Sequence, residues 1–332
     1  MLTEHQTASI CHSLALGSPI APLTRVTGGL LHSMFCLQTD IGRFAVKVLD
    51  RQIMEIPNIH ASFRLSEIIA TEVAAAGIPA VSAMSGKEGI VSDIGPNTVL
   101  VYPWIDGTVL PIASAGPTVA HQIGVILGRI HILNLDISRF GASERTVTDP
   151  IEWRGASDDG LAKEAPWADE IADLLPRIVD WENAGLQAYR SLGERRVVSH
   201  GDLDQKNVIW SETDTPWLID WESAGPVVPA VEVIAAALDW SGQTADEPDC
   251  ETFMALLAGY RSITDLAAQN CRMALHVRLA DWLGWLKANM TRSTDDDRST
   301  EEQELGTREV IKTAATLRNL ASNTEVWAAW CE

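Results

Sequence analysis

Basic residues are scarce in this chain of 332 residues. Lysine and arginine number 25 against 45 aspartates and glutamates, which gives a formal net charge of −20. A surface of this sign repels the phosphates of nucleic acids, so binding of nucleic acid is not expected. The charge is compatible with a cationic small molecule as ligand, although acidity also serves solubility alone.

Long apolar runs and cysteine pairs are lacking as well. No uninterrupted apolar run is long enough to cross a bilayer, and Met1–His5 lacks the basic start of a signal peptide. The five cysteines are scattered, with no Cys-x-x-Cys pair, so neither a zinc site nor a disulfide framework is indicated. We therefore expect a reduced cytoplasmic protein without membrane association, and nothing indicates an obligate protein partner.

Two short apolar runs in the second half of the chain enclose polar residues. Residues 197–210 suit a strand, a tight loop and a second strand, and residues 217–222 follow after a link rich in turn formers. The two runs predict a hairpin. Asp202, Asn207 and Asp220 would then converge at one end of it.

Phosphoryl transfer needs this combination of side chains. One carboxylate must orient the attacking hydroxyl or take its proton, and a carboxylate and an amide oxygen must hold Mg²⁺. The spacing from Asp202 to Asn207 is that of a kinase catalytic loop, and Asp220 stands where the metal-binding aspartate of the next strand belongs. A polar loop whose Asp and Asn only make turns is the alternative, and the second strand ending in aspartate favours the catalytic interpretation.

The first part of the chain predicts a small sheet with a helix. Residues 24–37 read as a strand, a glycine turn and a strand, and a third strand follows with Lys47 inside it. In a nucleotide-binding fold such a lysine reaches the phosphates and pairs with a helix glutamate, whereas on an edge strand it points to solvent. An apolar stripe at 62–76 predicts the helix. We prefer Glu67, which lies beside the apolar face, and keep Glu72 as the alternative.

The remaining sequence predicts a division into two lobes. Residues 81–91 and 98–101 read as two more strands, and residues 102–107 break the pattern with Pro and Gly. Such a break suits a hinge whose backbone amide and carbonyl could pair with adenine. The later residues are mainly helical. We expect a nucleotide-binding lobe at 1–103 and a catalytic and substrate-binding lobe at 104–332.

These residues carry a resemblance to a known family. The chain resembles, over nearly its whole length, the aminoglycoside phosphotransferase and choline-kinase-like family, which shares the bilobal protein-kinase fold. The specific segments are His200–Leu203 with Asn207, and Ile219–Glu222. The resemblance implies an α+β fold with a small antiparallel sheet and one main helix in the N-terminal lobe, and a larger, mostly helical C-terminal lobe.

The resemblance also implies a role for each site residue. Asp202 would be catalytic, Asn207 and Asp220 would bind Mg²⁺, and His200 would hold the loop in shape by hydrogen bonding. The nucleotide, ATP or GTP, would be bound by Lys47, Glu67, Gly28, Gly29, Ser33, Tyr102 and Trp104.

The differences from protein kinases indicate a constitutive small-molecule kinase. Gly201 replaces the arginine that would pair with a phosphorylated activation loop. The run from Asp220 to the helix near Glu232 is too short for a regulated activation segment. Asp204 occupies the place of a phosphate-contacting lysine, which leaves Lys206 or a second metal to compensate.

The expected reaction is transfer of the γ-phosphate to a hydroxyl of a small cationic substrate, an aminoglycoside or related antibiotic, and hence a role in antibiotic resistance. A metabolite such as choline, ethanolamine, homoserine or a sugar, or a macrolide, is the alternative acceptor. A non-catalytic binding protein is a third hypothesis, and the intact Lys47, Asp202, Asn207 and Asp220 argue against it. Carboxylates and aromatic rings would suit a cationic acceptor, and the candidates are Asp204, Asp239, Trp240, Asp281 and Trp285.

Overall fold

The structure is a computed structural model of the chain and contains two compact units. It describes residues 2–26, 32–86, 89–112, 114–136, 138, 151–243 and 248–332. The first unit comprises Met1–Leu110, Leu135–Gly141 and Val198–Gly225, and the second comprises Pro111–Asn134, Ala142–Val197 and Pro226–Glu332. The sequence-based division was a single boundary near residue 103, whereas here the segment that carries Asp202 and Asp220 groups with the N-terminal residues.

A five-stranded antiparallel sheet forms the centre of the first unit. Its strands are β1 (Thr24–Val26), β2 (Ser33–Thr39), β3 (Gly42–Val48), β4 (Ser92–Ile94) and β5 (Asn97–Pro103), in the spatial order β1-β2-β3-β5-β4. The helices of this unit are α1 (Glu4–Leu14), the short α2 (Arg51–Met54) and α3 (Ile59–Ala75). The predicted small antiparallel sheet with one main helix is confirmed.

Strand alternation decides which face of the sheet carries Lys47. Val46 packs into the cluster that contains Ile10 of α1, whereas Leu100, the register partner of Lys47, packs into the cluster that contains Phe63 of α3. Successive side chains of a strand point to opposite faces. Lys47 therefore lies on the α3 face, away from the core that covers the other side.

The predicted hairpin is present in the first unit. After β6 (Val197–Ser199) and a 3-10 helix (Gln205–Asn207), strands β7 (Val208–Trp210) and β8 (Pro216–Leu218) pair antiparallel, with Val208 opposite Leu218. A second 3-10 helix (Trp221–Ser223) and strand β9 (Gly225–Val227) follow. Two further chain segments of the unit pair with the hairpin and thereby join it to the rest of the unit.

The two segments that pair with the hairpin lie near residues 80 and 108. Val81 N donates to Leu218 O and Leu218 N to Pro79 O, both at 2.8 Å, on the β8 side. Thr108 N donates to Trp210 O at 3.0 Å and Trp210 N to Thr108 O at 2.8 Å, on the β7 side. The strand predicted at 81–91 is wrong. The backbone around Val81 forms hydrogen bonds with β8, and β4 of the five-stranded sheet begins only at Ser92.

Helices make up the second unit. They are α4 (Pro117–Ile132), α5 (Arg154–Ala162), α6 (Ala168–Ser191), α7 (Pro229–Ser241), α8 (Cys250–Arg261), α9 (Ala268–Thr294) and α10 (Thr300–Ala329). α4 packs closely on α8, since Gly124 and Gly259 let the two backbones approach to distances that a Cβ atom would prevent. The expected mostly helical character of the C-terminal part is confirmed. Among the described helices, none combines the length and the apolarity of a membrane span.

Substitution of Gly107 tests the attachment of residue 108 to the hairpin. A Cβ at Gly107 would overlap the carbonyl oxygen of Trp210, so Gly107→Ala is expected to destabilise the protein by about 1–3 kcal/mol. Gly225→Ala is the matched control, because nothing lies within 4 Å of a Cβ there. Thermal unfolding of both variants measures the difference, and equal melting temperatures would contradict this account.

Candidate active site

The loop between β6 and β7 holds Asp202 and Asn207 in direct contact. The Asn207 amide Nδ2 donates to the Asp202 backbone oxygen at 2.7 Å and to Asp202 Oδ2 at 3.0 Å. Asn207 is buried, while the Asp202 side chain is 43% exposed. With Nδ2 committed to the loop, Oδ1 of Asn207 is the atom left to serve as a metal ligand. The Asp202 carboxylate combines a fixed position with access to small molecules.

His200 joins this loop to the residue before Asp220. Its side chain is fully buried and its ring lies 4.5 Å from that of Trp221, centroid to centroid. The Asp202 backbone N donates to His200 Nδ1 at 3.4 Å, so the ring proton is on Nε2, which contacts Ile219 O at 3.0 Å. The histidine therefore fixes the two halves of the hairpin by hydrogen bonds and does not face the exposed part of the site.

Gly201 takes a backbone conformation that suits glycine. Its φ is +79°, and a Cβ on it would overlap the carbonyl oxygen of Ser223. A side chain at this position would be strained and would push the loop away from the segment after Asp220. Steric crowding thus explains why this chain has a glycine at the position where protein kinases have an arginine.

Asp220 lies directly after the hairpin, in a conformation uncommon for a non-glycine residue. Its φ and ψ are both 62°, in the left-handed region. The preceding residue is tied to the loop, because Ile219 N donates to Asn207 O at 2.9 Å. Asp220 and Asn207 offer carboxylate and amide oxygens, which are the hard ligands that Mg²⁺ prefers. The donor set fits this ion.

The ammonium of Lys47 contacts two carboxylates from the segment after the hairpin. Nζ lies 2.7 Å from Asp220 Oδ1 and 2.6 Å from Glu222 Oε2, and the residue is only 6% exposed. Burial would lower the pKa of Lys47, but the charges of Asp220 and Glu222 outweigh it and raise the pKa. The lysine is therefore held charged beside the proposed metal ligand.

Two residues of this network were missed by the sequence reasoning. Glu222 lies two residues after Asp220, and its Oε2 is 3.3 Å from His32 Nε2. Burial alone would raise the pKa of Glu222, but the hydrogen bond from His32 and the charge of Lys47 lower it to about 2. The motif Ile219–Glu222 has Glu222 as a second carboxylate, two residues after the predicted metal ligand, and this spacing could have indicated it. No local pattern singled out His32.

The structure corrects the predicted partner of Lys47. Glu67 Oε2 accepts from the Ala83 backbone N at 2.6 Å and Glu67 Oε1 from the Tyr102 hydroxyl at 2.7 Å. Burial raises the pKa of Glu67 against the opposing effects of these two bonds and of the Lys47 charge. Neither Glu67 nor Glu72 is an ion-pair partner of Lys47. The physical reason is that Asp220 and Glu222 are the carboxylates in contact with the ammonium. Glu67 instead accepts hydrogen bonds from the Ala83 backbone and the Tyr102 hydroxyl.

Lys206 supplies a second cation at the catalytic loop. Its Nζ lies 3.2 Å from Asp202 Oδ2 and 2.6 Å from Asp204 Oδ2. Burial would lower the pKa of Lys206, but the two carboxylates raise it overall. Asp204 also accepts from the Lys206 backbone N at 3.0 Å and so caps the 3-10 helix. Asp204 thus has an internal role, and burial raises its pKa.

The other predicted nucleotide-binding residues are distributed over the sheet and the following segment. Ser33 opens β2 opposite Val48, and the Tyr102 hydroxyl is engaged by Glu67. Trp104 N donates to Arg43 O at 3.3 Å, and the Arg43 guanidinium lies 5.7 Å from the centre of the Trp104 ring. Gly28 and Gly29 lie outside the described residues.

The four acceptor candidates of the second unit differ in their surroundings. Trp240 is 0% exposed, so its prediction as an acceptor contact is wrong: the ring fills the core at the end of α7. Both oxygens of Asp239 lie 2.8 Å from an Arg278 nitrogen. Trp285 Nε1 donates to Glu309 at 3.3 Å, and Asp281 is exposed.

The sequence and the fold were compared with known proteins. The profile of the phosphotransferase enzyme family matches residues 22–266, and the chain belongs to this family. The predicted class of enzyme, a phosphotransferase, is confirmed by that match. No curated protein matches the chain significantly.

Three solved structures illustrate the shared fold. A spectinomycin phosphotransferase in complex with ADP and spectinomycin is 12% identical, with 98% of this chain and 99% of that chain covered and a TM-score of 0.73. An ethanolamine kinase from Plasmodium vivax is 14% identical, with 92% and 86% covered and a TM-score of 0.62. A macrolide 2'-phosphotransferase from Brachybacterium faecium is 15% identical, with 92% and 98% covered and a TM-score of 0.58. At these identities the likeness confirms the predicted fold.

The contribution of Glu222 to stability is expected to depend on pH. Its pKa of about 2 lies below the ordinary value of 4.5, so the stabilisation is complete above about pH 4.5 and is lost as the pH falls towards 2. Glu222→Gln should therefore cost on the order of 1–2 kcal/mol at pH 7 and less at pH 3. Thermal unfolding at several pH values measures this.

Glu212→Gln is the control for that series, because Glu212 is an exposed carboxylate in the turn of the same hairpin. We expect it to melt with the wild type at every pH. A deficit of Glu222→Gln that stays constant from pH 7 to pH 3 would contradict the assignment.

Proposed function

We propose that this phosphotransferase transfers the γ-phosphoryl group of ATP or GTP to a hydroxyl of a small cationic molecule, an aminoglycoside or related antibiotic. The observation that carries the proposal is the arrangement of Asp202, Asn207 and Asp220 at one end of the hairpin. Two carboxylates and an amide, fixed by His200 and by the backbone of the loop, are what this reaction needs.

Asp202 has the position and the solvent exposure expected of the residue that acts on the acceptor. Asn207 holds its Oδ2 from one side and Lys206 from the other, at 3.0 and 3.2 Å. Its carboxylate can orient the acceptor hydroxyl or accept its proton. Holding the hydroxyl in line with the phosphorus atom supplies much of the rate, since little covalent chemistry is asked of the protein.

The nucleotide side consists of Lys47, Asn207 and Asp220. We assign Mg²⁺ to Asn207 and Asp220, which would hold the ion, and the ion would supply positive charge to offset that of the phosphates. Lys47 provides a permanent positive charge beside that position, and its third ammonium proton is available to a phosphate oxygen. Asp204 occupies the place where a protein kinase has a phosphate-contacting lysine. Lys206 supplies a positive charge beside it, and we infer that Lys206 contacts the transferred phosphoryl group.

The acceptor class is supported by charge and by the named neighbours. The chain carries a net charge of −20, which attracts cations over a distance and repels nucleic acid. The neighbour with the TM-score of 0.73 was solved with ADP and spectinomycin, and another neighbour is an amicoumacin kinase in complex with AMP-PNP and Ca²⁺. Asp239, Asp281 and Trp285 stay sequence-based predictions of acceptor contacts, and Asp239 is paired with Arg278.

Replacement of Asp202 tests its catalytic role. Asp202→Asn removes the proton acceptor while preserving the shape of the loop, so kcat is expected to fall by about 10² to 10⁴ with ADP binding retained. Asp214→Asn is the control, because Asp214 is an exposed turn residue at φ +55°. A coupled assay of ADP release and calorimetric titration with ADP measure both quantities. Near wild-type turnover of Asp202→Asn would contradict the catalytic assignment.

A panel of acceptors decides between the classes of substrate. Purified enzyme with ATP or GTP is expected to release nucleoside diphosphate faster when an aminoglycoside is added, because its ammonium groups match the acidic protein. Peptide antibiotics, macrolides, choline, ethanolamine and homoserine complete the panel. Turnover of a metabolite with no acceleration by any cationic antibiotic would overturn the antibiotic as acceptor and leave the phosphotransferase assignment in place.

A further inference from the structure

The residue that positions Lys47 for the nucleotide differs from the expected one. We propose that Glu222, held in place by His32, positions the Lys47 ammonium, and that Glu67 of α3 does not. This inference rests on the proposed function, because it takes the nucleotide phosphates to be the ligand of Lys47. It concerns a positioning role, since Glu222 acts through the lysine.

The first argument is that Glu67 is fully engaged elsewhere. One oxygen accepts from Ala83 N at 2.6 Å and the other from the Tyr102 hydroxyl at 2.7 Å. The residue is 2% exposed, so turning it towards the lysine would leave a buried N–H and a partly buried hydroxyl without partners. Such groups destabilise the fold when they are left unsatisfied. Glu67 is therefore best understood as a structural link between α3, the segment at Ala83 and β5.

The second argument is the division of the ammonium protons. Lys47 donates one proton to Asp220 and one to Glu222, at 2.7 and 2.6 Å. Asp220 is an assigned metal ligand, and its oxygens would be shared with the ion. Glu222 is the carboxylate of the pair that can remain with the lysine, and the third proton would be available to a phosphate oxygen.

The third argument is that Glu222 is itself fixed. Asp50 N donates to His32 Nδ1 at 3.0 Å, so the His32 proton is on Nε2, which lies 3.3 Å from Glu222 Oε2. The His32 ring is buried and packs edge-on against Phe63 of α3, with the ring centroids 5.8 Å apart. The 3-10 helix that carries Glu222 also packs on α3. The residues directly before β2 and α2, together with α3, thus determine where Glu222 lies.

The test measures how much Lys47 contributes to nucleotide binding in different backgrounds. The quantity is the factor by which Lys47→Met weakens binding of ADP, or of GDP if the wild type prefers it. It is determined by calorimetry without Mg²⁺, so that no metal mediates the effect. The backgrounds are the wild type, Glu222→Gln, His32→Phe and Glu67→Gln. Circular dichroism and the melting temperature establish that each variant is folded.

We expect Lys47→Met to weaken binding about tenfold in the wild type, the usual scale for one charge-assisted hydrogen bond. In Glu222→Gln and His32→Phe the factor should fall below about threefold, because the lysine is no longer held. In Glu67→Gln it should stay near tenfold. Glu222→Asp, which keeps the charge but withdraws the carboxylate, should give an intermediate factor and serves if the other two variants do not fold.

The outcomes separate the two levels of the proposal. A factor near tenfold in every background, or a loss confined to Glu67→Gln, would overturn the role of Glu222. Failure of the wild type to bind ADP or GDP, or no effect of Lys47→Met in the wild type, would instead overturn the proposed nucleotide site.

Discussion

Lys47 carries a positive charge that is almost completely buried, and two carboxylates more than 170 residues away in the chain keep it there. Burying an ammonium without a counter-charge would cost several kcal/mol. The position of β3 relative to the segment after the hairpin is therefore coupled to the charges of Asp220 and Glu222. Any change that moves Asp220 also moves the cation that is proposed to meet the phosphates.

The same principle of compensated charge extends to the catalytic loop. Lys206 lies between Asp202 and Asp204, and Asn207 adds a neutral hydrogen bond to Asp202. His200 takes no part in this charge pattern but fixes the backbone on which it depends. The exposed Asp202 is thus surrounded by groups whose positions are set by buried contacts, which is the condition for precise orientation of an acceptor.

Local patterns predicted the parts of the site that depend on local spacing. The hairpin and the contact between Asp202 and Asn207 follow from strand alternation, turn residues and a short loop, all within about twenty residues. Three predictions depended on packing and were wrong: the Lys47–Glu67 pair, the exposed role of Trp240 and the strand at 81–91. Residues distant in the chain supplied the partner in two of these cases, Glu222 for Lys47 and Leu218 for Val81.

The sequence by itself determined the class of the molecule: an antiparallel sheet followed by helices, an acidic surface, and the residue types of a phosphotransferase at the right spacing. Periodicity and turn chemistry are properties of neighbouring residues, so they can be read without coordinates. Only the tertiary structure decided which carboxylate pairs with Lys47 and that His32 holds it. Which of several acidic residues pairs with a lysine depends on distance and burial. Neither quantity can be read from the order of residues in the chain.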